Sequence, residues 1–250
     1  MNSSGQAAIT FGDENTETGQ LKISGAVRAK YVYDYEANPS TSKLSFNDAI
    51  LWLDYNSPKW IGHLDYRVYE YYGNIGDASW LTDAWVGYKF DSQQKIIAGL
   101  NTVPFGLSRF WGNTFYLGIG NAAGLEDVHN LGIKYEFNNG SNEAQIAYYP
   151  TDGGNYQGNS KDARRYSINA VNADDSVSEG TNTKEKNSFV LRGAHTFKNI
   201  NGNENFNSQI GASAWYSTIE NRRSGRDGNR QVYSIFTNTN YKQWNLQLLA

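Results

Sequence analysis

Polar and apolar residues alternate along most of this chain, and the alternation runs longer than an ordinary strand needs. Over residues 20–36, QLKISGAVRAKYVYDYE, one parity holds Leu21, Ile23, Val27, Ala29, Tyr31, Tyr33 and Tyr35. The other holds Lys22, Ser24, Arg28, Lys30, Asp34 and Glu36. Successive side chains of a strand point to opposite faces, so the pattern predicts a strand with one apolar and one charged face. Its length of about fifteen residues compares with roughly five or six in an average globular strand. In 59–72, Trp60, Leu64, Tyr66 and Val68 oppose His63, Asp65 and Arg67. In 82–90, Ala84, Val86, Tyr88 and Phe90 oppose Asp83, Gly87 and Lys89; in 130–137, Leu131, Ile133, Tyr135 and Phe137 oppose Lys134 and Glu136. Less regular segments at 43–56, 95–103, 143–150, 187–198, 208–220, 230–241 and 244–250 bring the reading to about eleven strands. Segment 43–56 breaks the rule, because Phe46 and Trp52 share the parity of Asp48 and Asp54. A bulge there is expected to restore it.

The connections sort by length. Compact turns at 57–58, 91–94, 138–142 and 242–243 alternate with longer segments, among them 104–128 and 151–187; 199–207 is the one longer member of the compact set. An up-and-down meander with this alternation collects its long loops at one end. Transmembrane β-barrels do so, with short periplasmic turns and long extracellular loops. Aromatic residues cluster near strand ends, with Tyr31, Tyr33 and Tyr35 at one end and Trp60, Phe90, Phe137, Tyr241 and Trp244 beside short turns. Two aromatic belts are what the interfaces of a bilayer select.

Composition narrows the classes. The 250 residues are 39% hydrophobic and 14% aromatic, with 18 Tyr and 7 Trp. Cysteine is absent, which removes disulfide scaffolds, Cys-zinc sites and thiol nucleophiles together. A net charge of −3 leaves no basic footprint for nucleic acid. No run of eighteen apolar residues could form a membrane helix. A mean hydropathy of −0.65 still suits a barrel, whose wet lumen makes every second residue polar. Residues 1–19 read as an irregular segment with no legible signal peptide. The whole of 1–250 therefore reads as one all-β domain, a transmembrane antiparallel up-and-down β-barrel.

At AWVGYKFDSQQKIIAGLNTVPFG, residues 84–106, the chain resembles Gram-negative porins, most of all the phosphate-selective porin O/P-like group. A strand ending in Tyr-x-Phe, a short polar turn, and an alternating strand closing on a Gly-polar-Pro-Phe-Gly corner carry the resemblance. The pattern LWLDY…W.G.LDYR.Y at 51–69 supports it. The resemblance implies a homotrimer of sixteen-stranded barrels in the bacterial outer membrane, some with anion preference, and a third loop that folds inward to narrow the pore. It also implies a C-terminal strand ending in an aromatic residue. This chain stops at WNLQLLA after an odd number of strands, so a fragment of a longer porin is expected, with a twelve-stranded barrel as the alternative.

The candidate chemistry is that of a pore. On the polar parity the reading counts Lys22, Arg28, Lys30, Arg67, Lys89, Lys95, Lys134 and Arg192 against Asp34, Glu36, Asp65, Asp83, Glu136 and Glu143, an excess of two positive charges. Rings of Lys and Arg favour anions. Asn101 closes the strand before the corner. The third long connection, 104–128, offers Phe110, Trp111, Phe115, Tyr116 and Leu117 as anchors on the inner wall, with Arg109 and the pair Glu126/Asp127 as opposed charges at the opening. The acids Asp152, Asp162, Asp174 and Asp175 of the 151–187 loop lack calcium-loop spacing.

His63, His129 and His195 are far apart, no Gly-x-Ser-x-Gly elbow exists, and GIGNAAG at 118–124 lacks a βαβ context. The expectation is a non-enzymatic channel, without cofactor or metal, for small hydrophilic solutes or anions, surrounded by outer-membrane lipid. The rivals are a phospholipase-like barrel enzyme and a soluble, secreted β-sandwich module. Arg109→Glu is expected to shift the reversal potential towards cations in planar-bilayer recordings. An unchanged anion/cation permeability ratio would remove Arg109 from the selectivity argument.

Overall fold

The computed structural model describes residues 8–36, 41–70, 74–76, 78–107, 124–151, 183–221 and 226–250. Twelve antiparallel strands form one sheet in sequence order: β1 (Ala8–Gly12), β2 (Gln20–Asp34), β3 (Thr41–Asn56), β4 (Trp60–Tyr69), β5 (Ala78–Lys89), β6 (Gln94–Thr102), β7 (His129–Asn138), β8 (Asn142–Thr151), β9 (Thr183–Phe197), β10 (Phe206–Asn221), β11 (Arg226–Tyr241) and β12 (Trp244–Leu249). A single 3₁₀ turn, Ile200–Gly202, is the one helical element among the described residues. The edges β1 and β12 are not paired with each other.

The sequence reading missed β1, which lies inside the segment expected to be irregular. Its Ile9 pairs with Ile23 and its Phe11 with Leu21, so it extends the apolar face of β2. The expected bulge in β3 is present. Arg28 pairs with Asp48 and Ala29 with Phe46, leaving Asn47 as the extra residue and returning Phe46 to the apolar face. Trp52 stays on the polar face, where its indole N–H donates to Asp65 Oδ2 at 3.0 Å.

Short turns are built from side chains that bond their own backbone. Asp91 Oδ1 accepts from the amides of Gln93 and Gln94, and Asn139 Oδ1 from those of Ser141 and Asn142. Such turns reverse the chain in few residues. They lie at one end of the sheet, and the strand ends at Thr102, His129, Thr151 and Thr183 lie at the other.

The two faces are inverted relative to a water-soluble sheet. The apolar face is open: Val27 is 77% exposed, Ile235 68%, Leu191 53% and Ile133 51%. Aromatics flank this aliphatic middle. Trp60 against Tyr88 (5.1 Å between rings) and Phe206 against Tyr241 (5.7 Å) stand at the short-turn end, and Tyr148 against Phe189 (4.8 Å) towards the long-loop end. The polar face carries the buried groups, including Asp48, Asp65, Arg67 and Asn101.

The sheet curls with its polar face inside. Only four Cα–Cα steps separate Thr102, the end of β6, from Gly106, a reach of about 14 Å at most. In a flat sheet β6 and β12 would lie six strand spacings apart, about 29 Å. Yet the open side of the Gly106 Cα lies against Leu249 of β12, 2.9 Å from the position a Cβ would take. A leucine side chain cannot bridge that gap without curvature.

Gly132 of β7 makes room for the Tyr149 ring on this inner side. A Cβ there would meet the Tyr148 carbonyl oxygen and the ring itself. Gly132→Ala is expected to destabilise the fold by about 1–3 kcal/mol through overpacking, seen as a lower urea midpoint of the refolded chain. An unchanged midpoint would show that the ring relaxes freely.

Candidate constriction on the polar face

β6 ends because of Pro104, which has no N–H to donate to a ladder. Val103 still bonds Val128 (N to O, 2.8 Å), after which the Phe105 amide turns back to the Val103 carbonyl at 3.0 Å. Gly106 then takes φ 56, in the left-handed region that glycine enters without steric cost. The corner leaves the ladder and crosses the polar face.

Phe105 is almost wholly buried there, in a cluster with Val103, Val128, Ala147, Tyr149, Val190 and Trp215. Its ring centroid lies 5.8 Å from that of Trp215 on β10. The backbone of Gly106 is fixed at both polar atoms: its N–H donates to Ser213 Oγ at 3.0 Å, and its carbonyl accepts from Arg192 Nε at 2.9 Å. Arg192 also donates through Nη1 to Glu143 Oε2 at 2.8 Å and lies over the Phe236 ring. Apolar insertion and charge-assisted bonds thus tie the corner of β6 to β9 and β10.

The returning limb is tied as firmly. Glu126, Asp127 and Val128 are buried, and Asp127 holds φ 58. His129, at the start of β7, bridges two carboxylates, with Nδ1 3.0 Å from Asp83 Oδ1 and Nε2 3.0 Å from Asp127 Oδ1. Both limbs of the long connection are therefore seated on the polar face. Arg109 lies outside the described residues, as do Phe110, Trp111, Phe115, Tyr116 and Leu117, and the acids Asp152, Asp162, Asp174 and Asp175.

The remaining candidates divide by exposure. Arg67 is buried in a two-point ion pair with Asp65 (2.8 and 2.7 Å). Asn101 is buried, donating to the Gly99 carbonyl and accepting from the Tyr149 hydroxyl at 2.8 Å. Lys134 donates to the Thr102 carbonyl at 2.9 Å and pairs with Glu136 at 3.0 Å. Together with Arg192, Glu126 and Asp127, these groups hold the wall and the corner in place. Arg28 and Lys30 are exposed instead, and Lys89 and Lys95 are half-buried. Arg28 pairs with Asp48, Lys95 with Glu136, and Lys89 donates to Asn56.

The counted excess of positive charge does not survive. Register places Asp48 and Asp54 on the same face, outside the count, and Glu185 and Arg230 lie 3.4 Å apart there.

No family model matches the chain, and neither characterised proteins nor solved structures yield a match. The porin resemblance thus rests on residues 84–106 and 51–69 alone. Sequence reasoning missed His129 as a clamp, Tyr149 and Trp215 as the seat of Phe105, and Asp48 as the partner of Arg28. Only the curl of the sheet brings Tyr149 and Trp215 to Phe105.

Phe105→Ala empties the centre of this cluster and is expected to cost about 3–5 kcal/mol. Denaturant unfolding of the refolded chain measures it. A loss below about 1 kcal/mol would show that the corner is not a packing element.

Proposed function

We propose that this chain forms the wall and the inner constriction of an outer-membrane porin. The observation that carries the reading is the inverted polarity of the sheet, whose apolar side is open while its charged side is turned in and neutralised. In water, an apolar face of this extent would drive aggregation. In a bilayer it is the face that lipid covers, and the aromatic rows at its two ends match the depths of the interfaces.

The proposed pore follows from the curl. The curled, open sheet forms part of a barrel wall, for which the resemblance implies sixteen strands and a homotrimer. The interior is wet, and the corner at Pro104–Gly106 narrows it from one side. Small hydrophilic solutes pass by diffusion, with no chemical step and no cofactor. Arg28, Lys30, Lys89 and Lys95 contribute to the field that a permeating ion meets, and Asp48, Asp54 and Glu136 on the same face offset them. The limbs held by Arg192 and His129 keep the opening at fixed width.

Purified chain reconstituted in planar bilayers is expected to give discrete conductance steps. Arg192→Met, which removes the bond to the Gly106 carbonyl, is expected to enlarge them. A chain that stays monomeric and soluble without detergent and gives no steps contradicts the reading.

A further inference from the structure

Apart from Trp215 beneath the corner, two further tryptophans stand on the polar face, among charge and amide groups. Trp52 on β3 and Trp85 on β5 are both half-buried, and register puts them diagonally across β4, their Cα atoms about 12 Å apart. The orientation of each is fixed. Trp52 donates its indole N–H to Asp65, itself locked by Arg67. Trp85 lies 5.9 Å from the His63 ring, and His63 Nδ1 sits 2.7 Å from Asp54 Oδ1.

Between the indoles lie groups that water still reaches. The side chains of Asp54 and His63 are 47% and 24% exposed, whereas Asp65 and Arg67 are shut off. Lys22 stands opposite Asp54 on β2. The same face continues from Trp85 past Gly87 to Lys89, and there opens a polar pocket of about 440 Å³ that Ile61, Lys95, Glu136 and Gln145 also line.

Flat apolar indoles interleaved with both donors and acceptors select a particular chemistry. An anion gains nothing from the indole faces and meets Asp54, and a cation that stacks on an indole meets Lys22 and His63 beside Asp54. A purely apolar solute leaves the polar groups without partners, which costs binding. A sugar satisfies both, because its ring presents apolar C–H faces while its hydroxyls donate and accept. Aromatic walls with a few placed polar groups are the usual make-up of a small-molecule site.

We propose that Trp52 and Trp85, with Asp54 and His63 between them, form a carbohydrate-binding site on the polar face, at the short-turn side of the constriction. The placement inside a pore rests on the porin reading; the binding does not.

The test is calorimetric titration of the full chain, refolded in detergent, with a linear glucose hexasaccharide, and with polyethylene glycol of equal mass as the non-sugar comparison. Saturable binding of the sugar alone is expected. Trp85→Ala should weaken it about tenfold, equal to about 1.4 kcal/mol, and Trp85→Phe, which keeps an aromatic face, should restore most of it. Asp54→Asn gives a second variant should Trp85→Ala fail to refold, and is expected to weaken binding as well. No saturable binding, equal binding of the glycol, or wild-type affinity in both Trp85→Ala and Asp54→Asn overturns the proposal. Bilayer recordings separate the two readings. Conductance without sugar binding removes the site alone, and sugar binding without conductance removes the porin alone.

Discussion

A charged group can leave water only with a partner, and the polar face of this sheet obeys that constraint residue by residue. Asp65 is buried because Arg67 and Trp52 meet both its oxygens. Asp48 is buried because Arg28 and Asn47 do the same. Breaking such a pair leaves an uncompensated buried charge, a cost of several kcal/mol. The pairs are therefore the joints of the wall. Arg28–Asp48 and the Trp52–Asp65 bond link neighbouring strands on the inside, and Arg67–Asp65 neutralises charge within β4, where an ordinary sheet would use aliphatic packing; the aliphatic residues are left to the outside.

The corner after β6 exploits the same arrangement. Its backbone cannot join the ladder past Pro104, so its polar atoms need partners elsewhere, and Ser213 and Arg192 supply them. Phe105 adds a sizeable apolar contact on the polar side, with Trp215 beneath it. Rigid hydrogen bonds and one packed ring fix where a narrowing would stand. The tryptophans at 52 and 85 fit the account in another way, as apolar surface placed where a passing solute would touch it.

Much of this could be read from the sequence because alternation is a local signal. Strands β2 to β12 each show it over enough residues, and even the bulge at Asn47 betrays itself through the clash between Phe46 and Asp48. β1 escaped because Ala8–Gly12 holds too few residues for a period and sits in a polar run. The loop sorting was legible as well, since it needs only strand ends. What could not be read were contacts between strands distant in sequence. Arg28 meeting Asp48 depends on the register that the bulge sets, and His129 reaches Asp83 across β6. Charge counting failed for the same reason: parity tells which way a lysine points, but not which acid awaits it.

The central claim of the proposal is that, from Leu131 to Phe137 of β7, the odd-numbered residues meet lipid while the even-numbered ones face the polar interior. Because the chain has no cysteine, single cysteines at positions 131 and 133 to 136, leaving out the crowded Gly132, can each carry a spin label without background. Paramagnetic quenching by oxygen dissolved in lipid is compared with quenching by a water-soluble nickel complex in reconstituted vesicles. The account predicts alternation, with strong quenching by oxygen at 131, 133 and 135 and weak quenching by oxygen at 134 and 136. Equal access of the nickel complex to 131, 133 and 135 would contradict it.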